Sequence, residues 1–194
     1  MARRWYINII IGIGLALSSC QTYSLRKGDL LFHVAPTANA ITDVTPDMID
    51  HVAIVLTSDS VIEAVPHRGV TITPLDSLRH QQGHYIIGRV HGADPVLSLI
   101  NARRYLGRPY DALYLADNEA VYCSELVQFS FTDSHGQRLF APVPMSFHDA
   151  SGRITPYWTD FYSRQGMDVP EGQPGTNPAE LSQRKTVKIL GRLR

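Results

Sequence analysis

The sequence predicts an α+β domain in which an antiparallel sheet or small barrel packs against helices. Two observations support this fold class. The first half of the chain contains several short, β-branched apolar runs separated only by turn signals, which is typical of antiparallel sheets. The second half changes to apolar residues spaced three and four apart, the period of a helix packed on one face. With 194 residues and 44% hydrophobic residues, the chain can form one domain with a substantial core.

The strand predictions follow the apolar runs in chain order. Thr, Ser, Asp and Gly are frequent in the segments 57–60 and 67–69, so the runs on either side of each segment are expected to pair as hairpins. His67 and Arg68 lie at one of these turns, and we expect a solvated hairpin tip there. The predicted strands are 30–34, 52–56, 61–65, 70–73 and 85–90, with a terminal strand at 186–190.

The helix predictions begin at Asp94-Pro95, where an N-cap residue precedes a proline at the first helical position. Val96, Leu99, Ile100 and Arg103 recur at helical spacing, so this helix is expected to reach about residue 106. A second helix is expected around Cys123, with an apolar side facing the sheet through Leu126, Val127 and Ser130. A third, short helix is expected at 178–183. The segment 155–178, which contains several Pro and Gly residues, is a candidate lid.

The N-terminus resembles a lipoprotein signal peptide. Arg3 and Arg4 precede an uncharged apolar stretch, residues 6–17, which is too short to span a bilayer comfortably. The stretch ends in Leu17-Ser18-Ser19-Cys20, which resembles a lipobox, the motif that directs lipid attachment to the cysteine and cleavage before it. An uncleaved anchor and an ordinary signal peptide remain alternatives, and each of them also exports the domain.

These features divide the chain into three parts. Residues 1–19 are expected to be the signal peptide, residues 20–27 a tether lipidated at Cys20, and residues 28–194 the domain. Gln21 is not an acidic residue of the kind that retains enterobacterial lipoproteins at the inner membrane. We therefore expect a lipid anchor in the bacterial cell envelope, in the outer membrane.

Composition argues against two kinds of partner. The chain has 18 basic and 18 acidic residues and no long run of either sign, so we expect no nucleic-acid binding. His80 and His84 have a spacing used by metal ligands on helices, but no carboxylate or thiol follows nearby to complete a site. We therefore predict neither a metal nor a cofactor. The sequence does not define an oligomeric state.

The cysteine count draws attention to Cys123. The chain has two cysteines, and lipidation of Cys20 would leave Cys123 without a partner for a disulfide. An unpaired thiol in an exported protein is exposed to oxidation and mispairing, which favours a catalytic role. A small buried apolar residue is the alternative, because free cysteines are among the most buried residues. The count alone leaves both interpretations open.

Four segments then resemble the motifs of one enzyme superfamily. They are Gly28-Asp29-Leu30-Leu31-Phe32, His51-Val52-Ala53-Ile54-Val55, Val61-Ile62-Glu63-Ala64 and Tyr122-Cys123-Ser124-Glu125-Leu126-Val127. Together they are similar to the NlpC/P60 superfamily of papain-like cysteine hydrolases. The cysteine segment comes last, which resembles the circularly permuted branch, the YiiX/YebB-like proteins, and more distantly the lecithin–retinol acyltransferases. Ala53 and Glu125 replace glycines of the ordinary family, and Glu125 is familiar in the permuted branch.

The resemblance implies a permuted papain-like fold with Cys123 as the nucleophile, His51 as its base and Glu63 as the residue that orients His51. Physical chemistry agrees, because a thiol near a helix start with an imidazole beside it can form a thiolate–imidazolium pair. Tyr110 and Tyr122 are candidates for an oxyanion donor or for shaping the pocket, and packed aromatic residues are the alternative.

The resemblance also implies an envelope peptidase or amidase that cleaves amide bonds, with cell-wall peptides as its expected substrates. Two other functions remain open at this point. An acyl hydrolase or acyltransferase acting on lipid-like or small acyl-amine substrates would use the same thiol. A binding lipoprotein without catalytic activity would keep the fold.

Overall fold

A six-stranded antiparallel sheet organises the computed structural model, which describes residues 23–116 and 118–193. The six strands are β1 (Leu30–Val34), β2 (Ile49–Val55), β3 (Ser60–Val65), β4 (Gly69–Pro74), β5 (His84–Val90) and β8 (Val187–Arg192). Their spatial order is β4-β3-β2-β1-β5-β8, and each neighbouring pair is antiparallel. The sheet is therefore open, with β4 and β8 at its edges.

Helices and two short strands lie between the strands of this sheet in the chain order. A single turn of 3-10 helix (Pro46–Met48) precedes β2, and the two-residue strands β6 (Val143–Pro144) and β7 (Pro174–Gly175) pair with each other. The helices are α1 (Leu75–Arg79), α2 (Pro95–Arg103), α3 (Cys123–Ser130), α4 (Pro156–Ser163) and α5 (Pro178–Ser182). Among the described residues, no helix has the length and apolar character needed to cross a membrane.

The sheet separates two apolar clusters because successive side chains of a strand point to opposite faces. Leu30 and Phe32 of β1 belong to the larger cluster, which also contains Leu99 of α2, Leu126 of α3 and residues of α5. Leu31 belongs to the smaller cluster on the other face, which α1 covers. A third, largely aromatic cluster surrounds α4. The prediction of a sheet packed against the cysteine-bearing helix is confirmed.

Backbone hydrogen bonds cover the edge of β4. The Val70 N–H donates to the carbonyl oxygen of Arg108 at 2.9 Å, and the Gly107 N–H donates to the carbonyl oxygen of Val70 at the same distance. Gly69 has a positive φ of 66°, and a Cβ there would lie 2.1 Å from the Arg108 oxygen. Only glycine therefore fits this approach, which holds the segment leading to Tyr110 against the sheet.

The predicted elements are present, with two differences in the helices. The exposed outer face of α2 carries Val96 and Ile100, whereas Ser98, Leu99 and Ala102 are buried. Small residues on the buried side let α2 approach α3 closely. The helix ends at Arg103, and turns continue to residue 107. Helices α1 and α4 were not predicted from the sequence.

The predicted signal peptide and Cys20 lie outside the described residues. The remainder of the predicted tether, from Tyr23 onward, lies against the domain. Arg89 donates to the carbonyl oxygen of Ser24 at 3.1 Å and forms a salt bridge with buried Asp29 at 2.8 Å. Leu25 packs against the smaller apolar cluster.

Candidate active site

The β2–β3 hairpin brings His51 and Glu63 together. Ile54 pairs with Ile62 in this hairpin, and the register therefore places His51 and Glu63 on the same face of the sheet. The Nε2 atom of His51 lies 2.8 Å from Oε2 of Glu63. Glu63 is only 1% exposed, so its carboxylate requires the polar partners that it has in this position.

The second oxygen of Glu63 also faces polar groups. Its Oε1 atom lies 3.7 Å from the guanidinium of Arg68 on the β3–β4 turn. Burial alone would raise the pKa of Glu63, but the hydrogen bond with His51, the charge of His51, the Thr73 hydroxyl and Arg68 together hold it below its ordinary value. Glu63 is therefore a carboxylate at neutral pH and can stabilise a positive charge on His51.

Cys123 is the first residue of α3. It is a buried free cysteine, and α3 packs on β2 and β3. The preceding residue, Tyr122, has an extended backbone, so the helix begins at the thiol itself. The N–H groups of a first helical turn have no partner within the helix and carry the positive end of its dipole. This position favours negative charge on the Cys123 sulfur or on an oxygen bound beside it.

His51 links the thiol and the carboxylate. Burial disfavours the charged imidazole, but hydrogen bonds and charge interactions with Cys123 and Glu63 outweigh burial and raise the pKa of His51 to about 10. Because Nε2 is engaged by Glu63, Nδ1 is the nitrogen left to interact with Cys123. The sequence-predicted residues Cys123, His51 and Glu63 are thus in one interacting row.

The two predicted tyrosines have different surroundings. The Tyr110 hydroxyl lies 3.5 Å from the Tyr114 hydroxyl, and both side chains line a cavity with Cys123. The Tyr122 hydroxyl instead accepts the N–H of Thr176 at 3.1 Å and forms part of the cavity wall. Burial is the main cause that raises the pKa of Tyr114 to about 12, and burial also raises that of Tyr110. Both hydroxyls therefore remain protonated donors near Cys123.

Sequence reasoning missed Tyr114. Its backbone has a positive φ of 52°, which is uncommon for a residue with a large side chain. The buried carboxylate of Asp111 holds this loop by accepting the N–H groups of Leu113 and Leu115 and the side-chain amide of Asn118. Asp111 lies one residue after Tyr110, and an Asp that organises a turn was the available signal.

Two openings with a shared wall surround the site, one lined by Cys123 and the other by His51 and Glu63. A narrow, mostly apolar slot of about 60 Å³ runs along Cys123, and a wider cleft of about 530 Å³ contains His51 and Glu63. The slot is lined mainly by apolar and aromatic side chains, including Ile41, Tyr122, Met145, Phe147 and Trp158. The residues that line both openings are Ile41, Asp50, Tyr110, Tyr114 and Trp158.

Helix α4 forms a wall of both openings. The indole N–H of Trp158 donates to the carbonyl oxygen of Ala40 at 3.1 Å, and the Tyr162 hydroxyl donates to that of Leu113 at 2.8 Å. Both residues are buried in the third apolar cluster with Phe147. The segment predicted as a candidate lid therefore contains α4, which packs in the third apolar cluster and lines both openings.

A second histidine stands behind the site on β1. Between β1 and β2 the register shifts, so that His33 pairs with His51 while Val34 pairs with Ile49, and Asp50 is the extra residue. His33 Nδ1 lies 2.6 Å from Asp50, and its Nε2 lies 2.7 Å from the carbonyl oxygen of Gln82. Both nitrogens face acceptors, so the ring is protonated when both bonds form. The hydrogen bond to Asp50 is the main cause that raises the pKa of His33.

The side chain of Asp50 is held by two partners. His33 binds one of its oxygens, and the amide of Asn39 donates to the other at 2.7 Å. This network fixes the irregular start of β2, from which His51 projects. Among the residues that the structure describes, no group of three or more His, Cys, Asp or Glu side chains has an arrangement that fits a metal ion.

Comparisons with known proteins identify relatives over most of the chain. Residues 24–191 match the Peptidase_C92 family, described as permuted papain-like amidase enzymes of the YaeF/YiiX type. The YiiX protein of Escherichia coli K12 is 30% identical over an alignment that covers 79% of each chain. A crystal structure described as that of the metalloprotein yiiX from Escherichia coli O157:H7 superposes with a TM-score of 0.71, covers 88% of this chain and 99% of the other, and is 22% identical.

These matches confirm the permuted papain-like fold and the enzyme class inferred from the order of the motifs. The segment that carries Cys123 follows the strands that carry His51 and Glu63 in the chain, as the resemblance requires. The protein belongs to the family of permuted papain-like amidases, an enzyme family of the cysteine peptidase type.

Proposed function

We propose that this protein is a cysteine amidase that acts through Cys123, His51 and Glu63. The observation that carries the proposal is the position of His51, which interacts with the Cys123 thiol and with the buried Glu63 carboxylate. Glu63 stabilises the imidazolium, and the imidazolium stabilises the thiolate, so the pair holds the charges that nucleophilic attack requires.

The reaction follows from this arrangement. The Cys123 thiolate attacks the amide carbonyl, and the resulting oxyanion lies near the start of α3, where the Cys123 N–H and the Tyr110 or Tyr114 hydroxyl can donate to it. His51 then transfers its proton to the leaving amine, and a thioester to Cys123 forms. Water, deprotonated by His51, attacks the thioester, and the acid product and the free thiol are released.

We propose an amide bond of cell-wall peptides as the substrate, and a lipid anchor at Cys20 that holds the enzyme in the bacterial envelope, in the outer membrane. The signal-like N-terminus supports export, and the wide cleft beside His51 has room for a polar peptide as the leaving group. The polar side chains of His33, Asn39, Asp50 and Gln81 also line the cleft.

The apolar slot favours a second candidate function. A narrow, aromatic-lined opening against the nucleophile suits an acyl group, so that an acyl-amine or lipid-like ester would place its apolar part there. Peptide amides and acyl-amides of increasing chain length, compared by kcat/KM, distinguish the two candidates. Added amine or alcohol acceptors reveal acyl transfer as a product with the acceptor attached.

The related crystal structure is described as that of a metalloprotein, which raises the question of a metal here. The donors around Cys123 do not fit this role, because Nε2 of His51 faces Glu63 and the described residues contain no cluster of three suitable side chains. The reaction described above therefore uses the side chains of the chain itself.

The pH dependence of iodoacetamide alkylation tests the proposed site without a substrate. A free thiol becomes reactive near pH 8.5. We expect rapid alkylation of Cys123 at pH 6 in the wild type, and loss of that reactivity in His51→Ala. Equal, slow alkylation at pH 6 in the wild type, His51→Ala and Glu63→Ala would instead favour a binding lipoprotein without catalytic activity.

A further inference from the structure

The outer face of α2 carries an apolar patch that the fold does not cover. Val96, Leu97 and Ile100 are 67%, 37% and 44% exposed, although they are bulky apolar residues. Successive residues of a helix are rotated by about 100°, so these three side chains lie within about one third of its circumference. We call these three residues the α2 patch. Clustered exposed apolar side chains of this kind mark interaction surfaces.

Positive charge borders the α2 patch on two sides. Arg103 and Arg104, at the end of the helix, are exposed and share the same third of its circumference. Arg26 and Lys27 are exposed just before Gly28, and a Cβ on Gly28 would lie 3.3 Å from the Cβ of Pro95 at the start of α2. Apolar side chains flanked by Arg and Lys are typical of surfaces that lie on anionic bilayers.

The N-terminal segment determines which partner is available to this surface. The structure describes the chain from Tyr23, three residues after Cys20, and a three-residue segment reaches at most about 10 Å. Arg89 and the smaller apolar cluster hold Ser24 and Leu25 on the domain. Tyr23 itself lies beside Gly191 of β8, so a lipid on Cys20 would keep this edge of the sheet close to the membrane. Gly28, which adjoins Pro95 at the start of α2, follows Tyr23 by five residues.

The sheet places the active site at the opposite end of the central strands. Leu30, near the tether, pairs with Ile54 and Gly88, whereas His33 at the other end of β1 pairs with His51 and Tyr85. A domain that rests on the end of β1 next to Gly28 and α2 would therefore hold His51 away from the bilayer.

We propose that the α2 patch and its basic border contact the headgroup surface of an anionic phospholipid bilayer. This contact rests on the proposed lipid anchor and extends it: the lipid holds the domain at the membrane, and α2 fixes its orientation. The cleft then faces the space beyond the membrane, where cell-wall peptides are reached more easily than the lipids of the same bilayer. The proposal therefore favours the peptide substrate over the lipid-like one.

A nitroxide label on the full chain tests this contact. The chain is reconstituted in vesicles of phosphatidylethanolamine and phosphatidylglycerol, with Cys123→Ser and the label at position 96 through Val96→Cys. Electron paramagnetic resonance gives the rate at which the label collides with oxygen, which concentrates in the bilayer, and the rate at which it collides with a water-soluble nickel complex. We expect an oxygen-to-nickel ratio several-fold higher at position 96 than for a label at position 157 through Tyr157→Cys, beside the cleft.

Matched variants show whether the apolar face is responsible. Ile100→Asp should lower the ratio at position 96 toward the value at position 157. Ile72→Asp should leave it unchanged, because Ile72 is equally exposed, 45% against 44%, but lies on β4 at the sheet edge. Equal ratios at positions 96 and 157, or equal effects of the two Asp variants, would overturn the proposal.

Two further outcomes also count against it. If the label at position 96 is shielded from both reagents and its spectrum is broadened by a second nearby label, the α2 patch is covered by a second copy of the chain. The mass of the N-terminal peptide separates the two proposals. A lipidated Cys20 with a nickel-accessible position 96 refutes docking but keeps the anchor, whereas an unmodified Cys20 refutes the anchor and the docking with it.

Discussion

Replacing Glu63 by glutamine tests the electrostatic coupling within the proposed catalytic row. The substitution keeps the size and shape of the side chain but removes the negative charge 2.8 Å from His51 Nε2. Glu63 is 1% exposed, so water does not take its place. The positive charge of His51 then loses its main carboxylate partner, and we expect the pKa of His51 to fall from about 10.

The distance sets the size of this fall. The lower estimate comes from the hydrogen bond alone: a hydrogen bond to a charged group contributes at least about 1.5 kcal/mol, which corresponds to about one pKa unit. Coulomb's law with an effective dielectric constant of about 20 and the 2.8 Å separation gives about 6 kcal/mol as an upper bound, or about four units. The pKa of His51 in Glu63→Gln should therefore lie between about 6 and about 9.

Nuclear magnetic resonance of the imidazole rings measures this pKa directly. The chain has eight histidines, and His51→Ala identifies the resonance of His51. Asp29→Asn is the matched control, because Asp29 is also a buried carboxylate with a charged partner, Arg89, but lies at the far end of β1. An unchanged His51 midpoint near 10 in Glu63→Gln, or an equal fall in Asp29→Asn, would refute the coupling.

Three other predictions concern the fold and the remaining site residues. Gly69→Ala should lower the free energy of unfolding, measured in urea, by at least about 2 kcal/mol. Gly92→Ala should lower it by only about 1 kcal/mol, because Gly92 has a similar φ but no atom within 4 Å of the added Cβ. Equal losses in the two variants would contradict the close approach at Gly69. Of Tyr110→Phe and Tyr114→Phe, the one that removes an oxyanion donor should lower kcat about a hundredfold with little change in KM, and two unaffected variants would assign the oxyanion to other donors. The pKa of His33 is raised in the folded protein, so the stability that protonated His33 contributes is complete below its ordinary pKa of 6.5 and is lost as pH rises through the raised pKa. The free energy of unfolding in urea should therefore decline less from pH 6 to pH 9 in His33→Gln than in the wild type.

Local sequence signals were sufficient for the sheet, and the family resemblance supplied the candidate residues of the site. The β-branched runs predicted the strands because each run is buried on at least one face, and the motif order predicted a nucleophile that follows its base. Helix α4 was missed because Pro156 and the Gly residues that follow the helix suggested loop structure. Its stability comes from aromatic contacts with distant Phe147 and Tyr114, which no local pattern contains. Tyr114 was missed for the same reason, since its backbone conformation depends on the turn that Asp111 organises.

The face of α2 shows a limit of periodicity. The spacing of Val96, Leu99, Ile100 and Arg103 predicted a helix but does not define which side of the helix is buried. The folded helix instead buries Ser98 and Ala102, whose small side chains allow α2 and α3 to pack closely. The shape of α3 therefore determines which side of α2 is buried.

The permuted order of the motifs has a consequence for when the thiol becomes reactive. His51 and Glu63 lie within one hairpin, a local structure that can form early, whereas Cys123 follows Glu63 by 60 positions. The thiol reaches its base only after α3 has docked on the completed sheet. A chain that is still being synthesised therefore has no base beside this cysteine. In the proposed site, the completion of folding is therefore the step that activates the thiol.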